Sequence, residues 1–372
     1  MHESDFVDAF YADKDLSLLK KLTLVIPTYN RNFYLSRCLW YHAHFPFGEI
    51  IVADSSPEEK KVVNRETVQK VREMFGANIR YLEYEPETDK YGGDIYRKWG
   101  DAVQHVETEY SQICTDKEFE IPATQCRCIK FLSEHNDYCV AEGINYVITK
   151  DHNNKLLYSP RQCRGSLTVD DPIERMYLSV TNSVYPLLGL HRADVQKSIY
   201  STKYQIDDLR FGEAGLNLLA MIFGKYIRFS DCAMTCRDTI RGLDKWKVNK
   251  SESSTLRYPQ FREYPEEYSK QKYYELRYCI YNSLLDKSTD SPEVISEKID
   301  EFLPQYLRDI FPLQPRVNSL YYTPIIKYIW DRAPCETKKR IRKLLSIQET
   351  EVICNNIDTN NGCFKIINNI LS

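Results

Sequence analysis

The tripeptide Asp116-Lys117-Glu118 follows the apolar stretch Glu109–Thr115, and it is where this chain first offers chemistry. Two carboxylates separated by one residue, just past a strand end, can both turn toward one ion. Their oxygens favour hard divalent cations such as Mg2+ or Mn2+, and such an ion orients a leaving group and acts as a Lewis acid. Two earlier apolar runs also end in useful residue types. Leu22–Ile26 gives way to Pro27-Thr28-Tyr29-Asn30-Arg31, and Glu49–Ala53 gives way to Asp54-Ser55-Ser56. Donors after one strand and a carboxylate after the next would meet at the carboxyl edge of a sheet, where open α/β sheets bind nucleotides.

Several elements must position these groups. All three runs have the length and composition of buried parallel strands. Leu35, Cys38, Leu39 and His42 follow helical spacing, which predicts a helix from Arg31 to about His44 whose N-terminus points at the site. Ser56-Pro57-Glu58-Glu59 reads as a capping box with proline at the first helical position, and Gly76 as the stop. A strand over Ile79–Tyr84 comes next, then a helical stripe of Ile95, Trp99, Ala102, Val103 and Val106. Lys98 on that stripe is a candidate to reach a diphosphate. Further on, the pattern predicts a helix over Pro122–Glu134 and a hairpin of Tyr138–Ile148 with Lys155–Tyr158. A helix starting at Asp171, a strand over Tyr185–His191, a helix over Glu213–Phe223 and a strand over Tyr226–Phe229 complete this part.

Glycine then disappears from Lys245 until Gly362, while Tyr, Leu, Lys and Glu recur with helical spacing. The organisation expected is a leader over residues 1–20, an α/β domain over 21–244, and a helical C-terminal domain over 245–372. Ser251–Ser254 would be the hinge. The basic cluster Lys338–Lys343 reads as a solvated helix face rather than a membrane contact.

Taken in order, Ile26–Arg31 (IPTYNR), Val52–Ser56 (VADSS), Asp116–Glu118 (DKE), and Glu213 before Gly224-Lys225 resemble a GT-A glycosyltransferase of the family 2 type. The resemblance covers residues 21–241. It implies a Rossmann-like, mostly parallel sheet flanked by helices, with a mainly helical C-terminal region. It also implies nucleotide contacts from Pro27, Thr28, Tyr29, Arg31, Asp54 and Ser55, with Asp116 near the ribose and the metal held by Asp116 and Glu118. The acidic motif of the family falls on Glu213, which would act as general base for an inverting displacement; Asp208 and Asp207 are its nearest rivals. His191-Arg192 falls where the family carries a basic pair, so Arg192 is a candidate phosphate partner. The chain departs from the family in reading Asp-Lys-Glu for a run of aspartates and Glu213-Ala214 for a Glu-Asp pair.

The composition is that of a globular protein, with 42% hydrophobic and 28% charged residues, and the net charge of −3 gives no electrostatic case for nucleic acid. No run reaches the length of a membrane span, and the first residues carry acids where a secretion signal needs bases. A cytoplasmic protein with free thiols is the expectation for its 12 cysteines. A zinc site from Cys126, Cys128, Cys232 and Cys236 is disfavoured by spacing. Walker A, G-x-G-x-x-G, nucleophile-elbow and His-Glu-x-x-His motifs are all missing. The expected function is transfer of a sugar from a nucleotide-diphosphate sugar, UDP-sugar being the commonest class, to a glycan, polysaccharide or lipid-linked acceptor. A lipid-linked acceptor would bring the protein to the cytoplasmic membrane face. The competing expectation is a non-catalytic sugar- or nucleotide-binding protein built on the same fold.

Overall fold

The structure, a computed structural model, describes residues 16–86, 88, 95–150, 156–160, 165–181, 184–201, 206–239, 266–310 and 367. The leader over residues 1–15, the turn at 151–154, the hinge and the basic cluster lie outside them.

Among the described residues nine strands form one sheet. They are β1 Leu22–Thr28, β2 Glu49–Asp54, β3 Ile79–Glu83, β4 Tyr110–Ile113, β5 Glu118–Glu120, β6 Tyr138–Lys150, β7 Leu156–Pro160, β8 Leu190–Arg192 and β9 Lys225–Asp238. The order is β3-β2-β1-β4-β8-β6-β9-β5, with β7 on β6. The β3-β2-β1-β4 half is parallel, whereas β8, β5 and β7 pair antiparallel and β6 runs parallel to β9. The helices are α1 Asn32–His42, α2 Glu58–Phe75, α3 Ile95–Gln104, α4 Pro122–Glu134, α5 Pro172–Thr181, α6 Ala193–Ile199, α7 Leu209–Phe223, α8 Glu266–Leu285 and α9 Pro292–Ile310.

Every residue of β1, β2 and β4 is buried, as expected where helices cover both sheet faces. Side chains alternate between two cores. Val25, Ile51 and Ile113 face Ala102 and Val103 of α3 and the apolar side of α7, while Leu24, Ile26 and Val52 face α1, α2 and α4. Leu276, Ile280, Ile295, Ile299 and Leu303 of α8 and α9 enter the first of these cores. The C-terminal helices therefore pack on the α/β layer rather than standing apart from it. This is a GT-A-like architecture. Among the described residues no helix is long and apolar enough to cross a membrane.

The structure differs from the sequence expectations in four places. Helix α7 begins at Leu209, not Glu213, because Asp208 caps it with its side chain on the Arg210 and Phe211 N–H groups. Strand β9 runs on to Asp238, since its second half finds partners in both β5 and β6. Residues Pro186–Leu188 form a 3-10 turn, which leaves β8 only Leu190–Arg192. The capping box is not made: the Ser56 hydroxyl accepts the Asn30 N–H at 2.8 Å instead, and α2 has no side-chain cap. Gly76 does stop α2, in the left-handed region at φ 65°.

Candidate active site

The carboxyl edge of β1, β2 and β4 is drawn together by the parallel register. Thr28 stands opposite Asp54, and Val25 opposite Ile113, so the segments leaving all three strands emerge side by side. Asn30 turns the chain sharply at φ 55°, a conformation asparagine tolerates better than most residues. From there α1 starts at Asn32 without a side-chain cap, so its N-terminal turn faces this edge. Tyr29 and Arg31 are half-buried here, while Pro27 is a buried member of β1.

The Asp116–Glu118 turn is bound directly to the end of β1. Asp116, only 3% exposed, accepts the Thr28 hydroxyl at 2.8 Å and the Arg31 guanidinium at 3.2 Å. Glu118, also buried, accepts the Thr115 N–H on Oε2 at 2.8 Å. Its Oε1 faces Arg237 Nη1 at 3.7 Å, because Glu118 and Arg237 stand opposite one another on β5 and β9. The Lys117 ammonium points elsewhere, 4.0 Å over the Tyr34 ring. Asp116 and Glu118 are an all-oxygen donor pair of the kind that suits Mg2+ or Mn2+. Arg237 lies beyond hydrogen-bond length of Glu118 Oε1, so that oxygen keeps lone pairs for a cation.

Glu213 sits in the second turn of α7 and is half-buried. Burial pushes its carboxyl above the ordinary carboxylate range, while Arg210 and Arg237 pull it back. Arg237 is thus the side chain that both acidic centres feel. Gly212 sets the helix close to α3, since a Cβ there would meet the Tyr96 ring at 2.7 Å.

Other sequence candidates are used differently. Lys98, buried, donates to the Thr28 carbonyl at 3.1 Å and the Ser55 hydroxyl at 2.8 Å; it clamps two strand ends together. Asp54 is 0% exposed and accepts the Ser56 N–H at 2.7 Å, the Asn64 amide at 2.7 Å and the Tyr81 hydroxyl at 2.5 Å. Asp208 is the α7 cap, with its second oxygen on the Tyr268 hydroxyl at 3.1 Å, so both its oxygens are engaged in anchoring the helix. Arg192 requires a correction. It stands opposite Tyr110, the first residue of β4, at the far edge of the parallel strands. There its guanidinium holds the Leu132, His135 and Tyr138 carbonyls at the end of α4. Its neighbour His191 is a core histidine, donating to the Gly189 carbonyl at 2.8 Å and lowered by burial to about 4.

Below the turn, Cys38, His42 and Cys114 each bring one ligand atom within 4.8 Å of the others, all buried. This geometry could hold a metal ion. His42 is fully engaged, however: Nδ1 donates to the Cys38 carbonyl at 2.8 Å and Nε2 accepts the Glu120 N–H at 3.2 Å. The thiols face the Glu118 carbonyl, each at 3.6 Å. Cys126, Cys128, Cys232 and Cys236 form no such group among the described residues.

Sequence reasoning missed two buried acids behind the site. Asp238 pairs with Arg37, and its N–H holds the Lys117 carbonyl at 2.8 Å. Glu120 accepts from Gln112 at 2.9 Å and Thr235 at 2.7 Å; burial and Glu118 push it well up. The alternation of Glu118 and Glu120 could have flagged a strand, but Asp238 carried no local signal.

No protein-family model matches the chain, and no curated protein does. Solved structures match it at low identity. S. aureus TarS 1-349 in complex with UDP-GlcNAc gives a TM-score of 0.50 at 16% identity, over 82% of this chain and 76% of that one. The same form with UDP gives 0.47 at 14% identity, over 86% and 77%. The longer S. aureus TarS chain gives 0.47 at 15% identity, and there the match covers 82% of this chain and 46% of that one. The likeness is one of fold, and the fold is GT-A-like.

Proposed function

We propose that this chain is a glycosyltransferase that moves a sugar from a nucleotide-diphosphate sugar to a hydroxyl of a glycan, polysaccharide or lipid-linked acceptor, with inversion. The observation that carries the proposal is the pair of acids that share Arg237, with Asp116 tied to the neighbouring strand end. Glu118 stands opposite it across two strands, and Glu213 lies within reach of its field. Asp116 is joined to the β1 end on the other side.

In this reading Asp116 and Glu118 hold a divalent ion, which supplies neutralisation of the charge that develops on the departing diphosphate. Arg31 and Arg237, each about one-third exposed, add cationic donors beside the same phosphate oxygens. Tyr29 offers a ring to the nucleotide base. Glu213 takes the proton from the acceptor hydroxyl as that oxygen attacks the anomeric carbon from the side opposite the diphosphate. Burial raises its carboxyl above the ordinary range, which makes it a stronger base than an exposed carboxylate. The buried clamps at Lys98 and Asp54 keep the strand ends fixed, so that the contacts are preorganised.

The test is to incubate the purified protein with a panel of nucleotide sugars and Mn2+ and follow release of nucleoside diphosphate. UDP-GlcNAc comes first, as the ligand of the TarS form with the similar fold. Release abolished by Asp116→Ala or Glu118→Ala supports the enzyme. Glu213→Ala is expected to keep donor binding and lose transfer by about a hundredfold or more. A protein that binds no donor at all overturns the proposal, and one that binds donors without turnover is the non-catalytic alternative.

A further inference from the structure

The C-terminal helices grip the helix that carries Glu213, and they do so at its first two turns. Tyr268 of α8 donates its hydroxyl to Asp208 Oδ2 at 3.1 Å. The other oxygen of the same carboxylate accepts the Arg210 and Phe211 N–H groups, both at 2.8 Å. One residue past Glu213, the Ala214 carbonyl accepts the Tyr306 hydroxyl of α9 at 3.5 Å. Leu276 of α8 presses against Gly215, where a Cβ would approach it to 3.3 Å. One turn earlier on the same face of α7, Gly212 lies against Tyr96 of α3. The turn bearing Glu213 is packed by both α3 and the C-terminal pair.

We infer that α8 and α9 act as a brace that positions Glu213, with Tyr268 as a positioning residue working through the Asp208 cap. The physical case is geometric. An N-cap carboxylate fixes the first turn only as well as it is itself fixed, and Asp208 is fixed from outside its own helix by Tyr268. A general base must be held within a fraction of an ångström of its working place, and a misplacement of about 1 Å can lower a rate on the order of a hundredfold. Two side chains from a region distant in sequence therefore bear on the catalytic step without touching substrate. Burial, and then the carboxylates of Asp208, Asp207 and Glu275 around the contact, raise the Tyr268 phenol, and Lys272 lies 5.6 Å over its ring.

This inference rests on the proposed role of Glu213, but part of its test does not. Tyr268→Phe removes one hydroxyl and leaves the ring. In the full chain, amide hydrogen exchange at Arg210 and Phe211 is expected to quicken about fivefold, the loss of one hydrogen bond, with β1 and β2 unchanged. Unchanged exchange at the start of α7 overturns the brace whatever the activity. In steady-state assays, kcat for sugar transfer is expected to fall about five- to tenfold with the donor KM held, as for loss of a positioning contact. Faster exchange with unaltered kcat overturns the positioning role. Tyr306→Phe should act in the same direction at Ala214, and a null result from both variants counts against the brace. If the wild-type protein turns over no donor, the glycosyltransferase proposal fails, and exchange alone decides whether α8 braces α7.

Discussion

Replacing Asp54 with alanine should unfold the nucleotide edge more than it alters any ligand contact. Its carboxylate is 0% exposed and collects three donors: the Ser56 N–H at 2.7 Å, the Asn64 amide at 2.7 Å and the Tyr81 hydroxyl at 2.5 Å. Each donor left unsatisfied in the interior costs about 1–3 kcal/mol. A simple sum is roughly 3–9 kcal/mol, but the donors are neighbours and are not independent, so about 3–5 kcal/mol is the working figure. That is a large share of the roughly 5–15 kcal/mol that holds a typical domain together. The melting temperature should fall by roughly 6 °C or more, read by calorimetry or dye binding. Tyr81→Phe removes one donor along with its need for a partner, so it should cost about 1 kcal/mol and leave donor-sugar affinity unchanged. A drop of less than about 2 °C for Asp54→Ala would refute the reasoning. It would mean that the carboxylate is not the knot of this turn.

Three further outcomes can be checked together. The Glu213 carboxyl is raised above its ordinary 4.5 by burial, so the acid limb of the transfer rate should lie above the usual carboxylate range, and a limb at or below 4.5 would remove Glu213 as the base. The same shift has a stability sign: the native state holds this proton more tightly than the unfolded chain, so its stabilising contribution is full below 4.5 and lost as pH rises through the raised value. Glu213→Gln should accordingly melt no lower than wild type at pH 8 while losing transfer, and a lower melting point would contradict the burial argument. Lys98→Met should cost about 2 kcal/mol in urea unfolding, since its ammonium joins the Thr28 carbonyl to the Ser55 hydroxyl inside the protein. Weakened donor binding should accompany that loss, because the two strand ends it ties are those the nucleotide would meet.

The sequence alone determined the parallel half of the sheet and its order of polar strand ends. Runs such as Leu22–Ile26 and Glu49–Ala53 are apolar on both faces, and only strands covered by helices on either side make such runs stable. The stop at Gly76, the helix from Pro122 and the helical character of residues 266–285 and 292–310 were legible for similar local reasons. What tertiary structure decided was which polar groups stay part-exposed at the sheet edge and which are bonded inward. Lys98, Asp54 and Asp208 have the right residue types at the right strand and helix ends, yet their partners come from distant segments: Thr28 and Ser55, Tyr81 and Asn64, and Tyr268. Arg192 was misplaced by sequence order because a short antiparallel strand puts its side chain at the opposite sheet edge. Arg237 became central only because the second half of β9 pairs with β5 as well as with β6. A side chain's chemical type is written in the sequence, but its direction and its partners are set by long-range pairing.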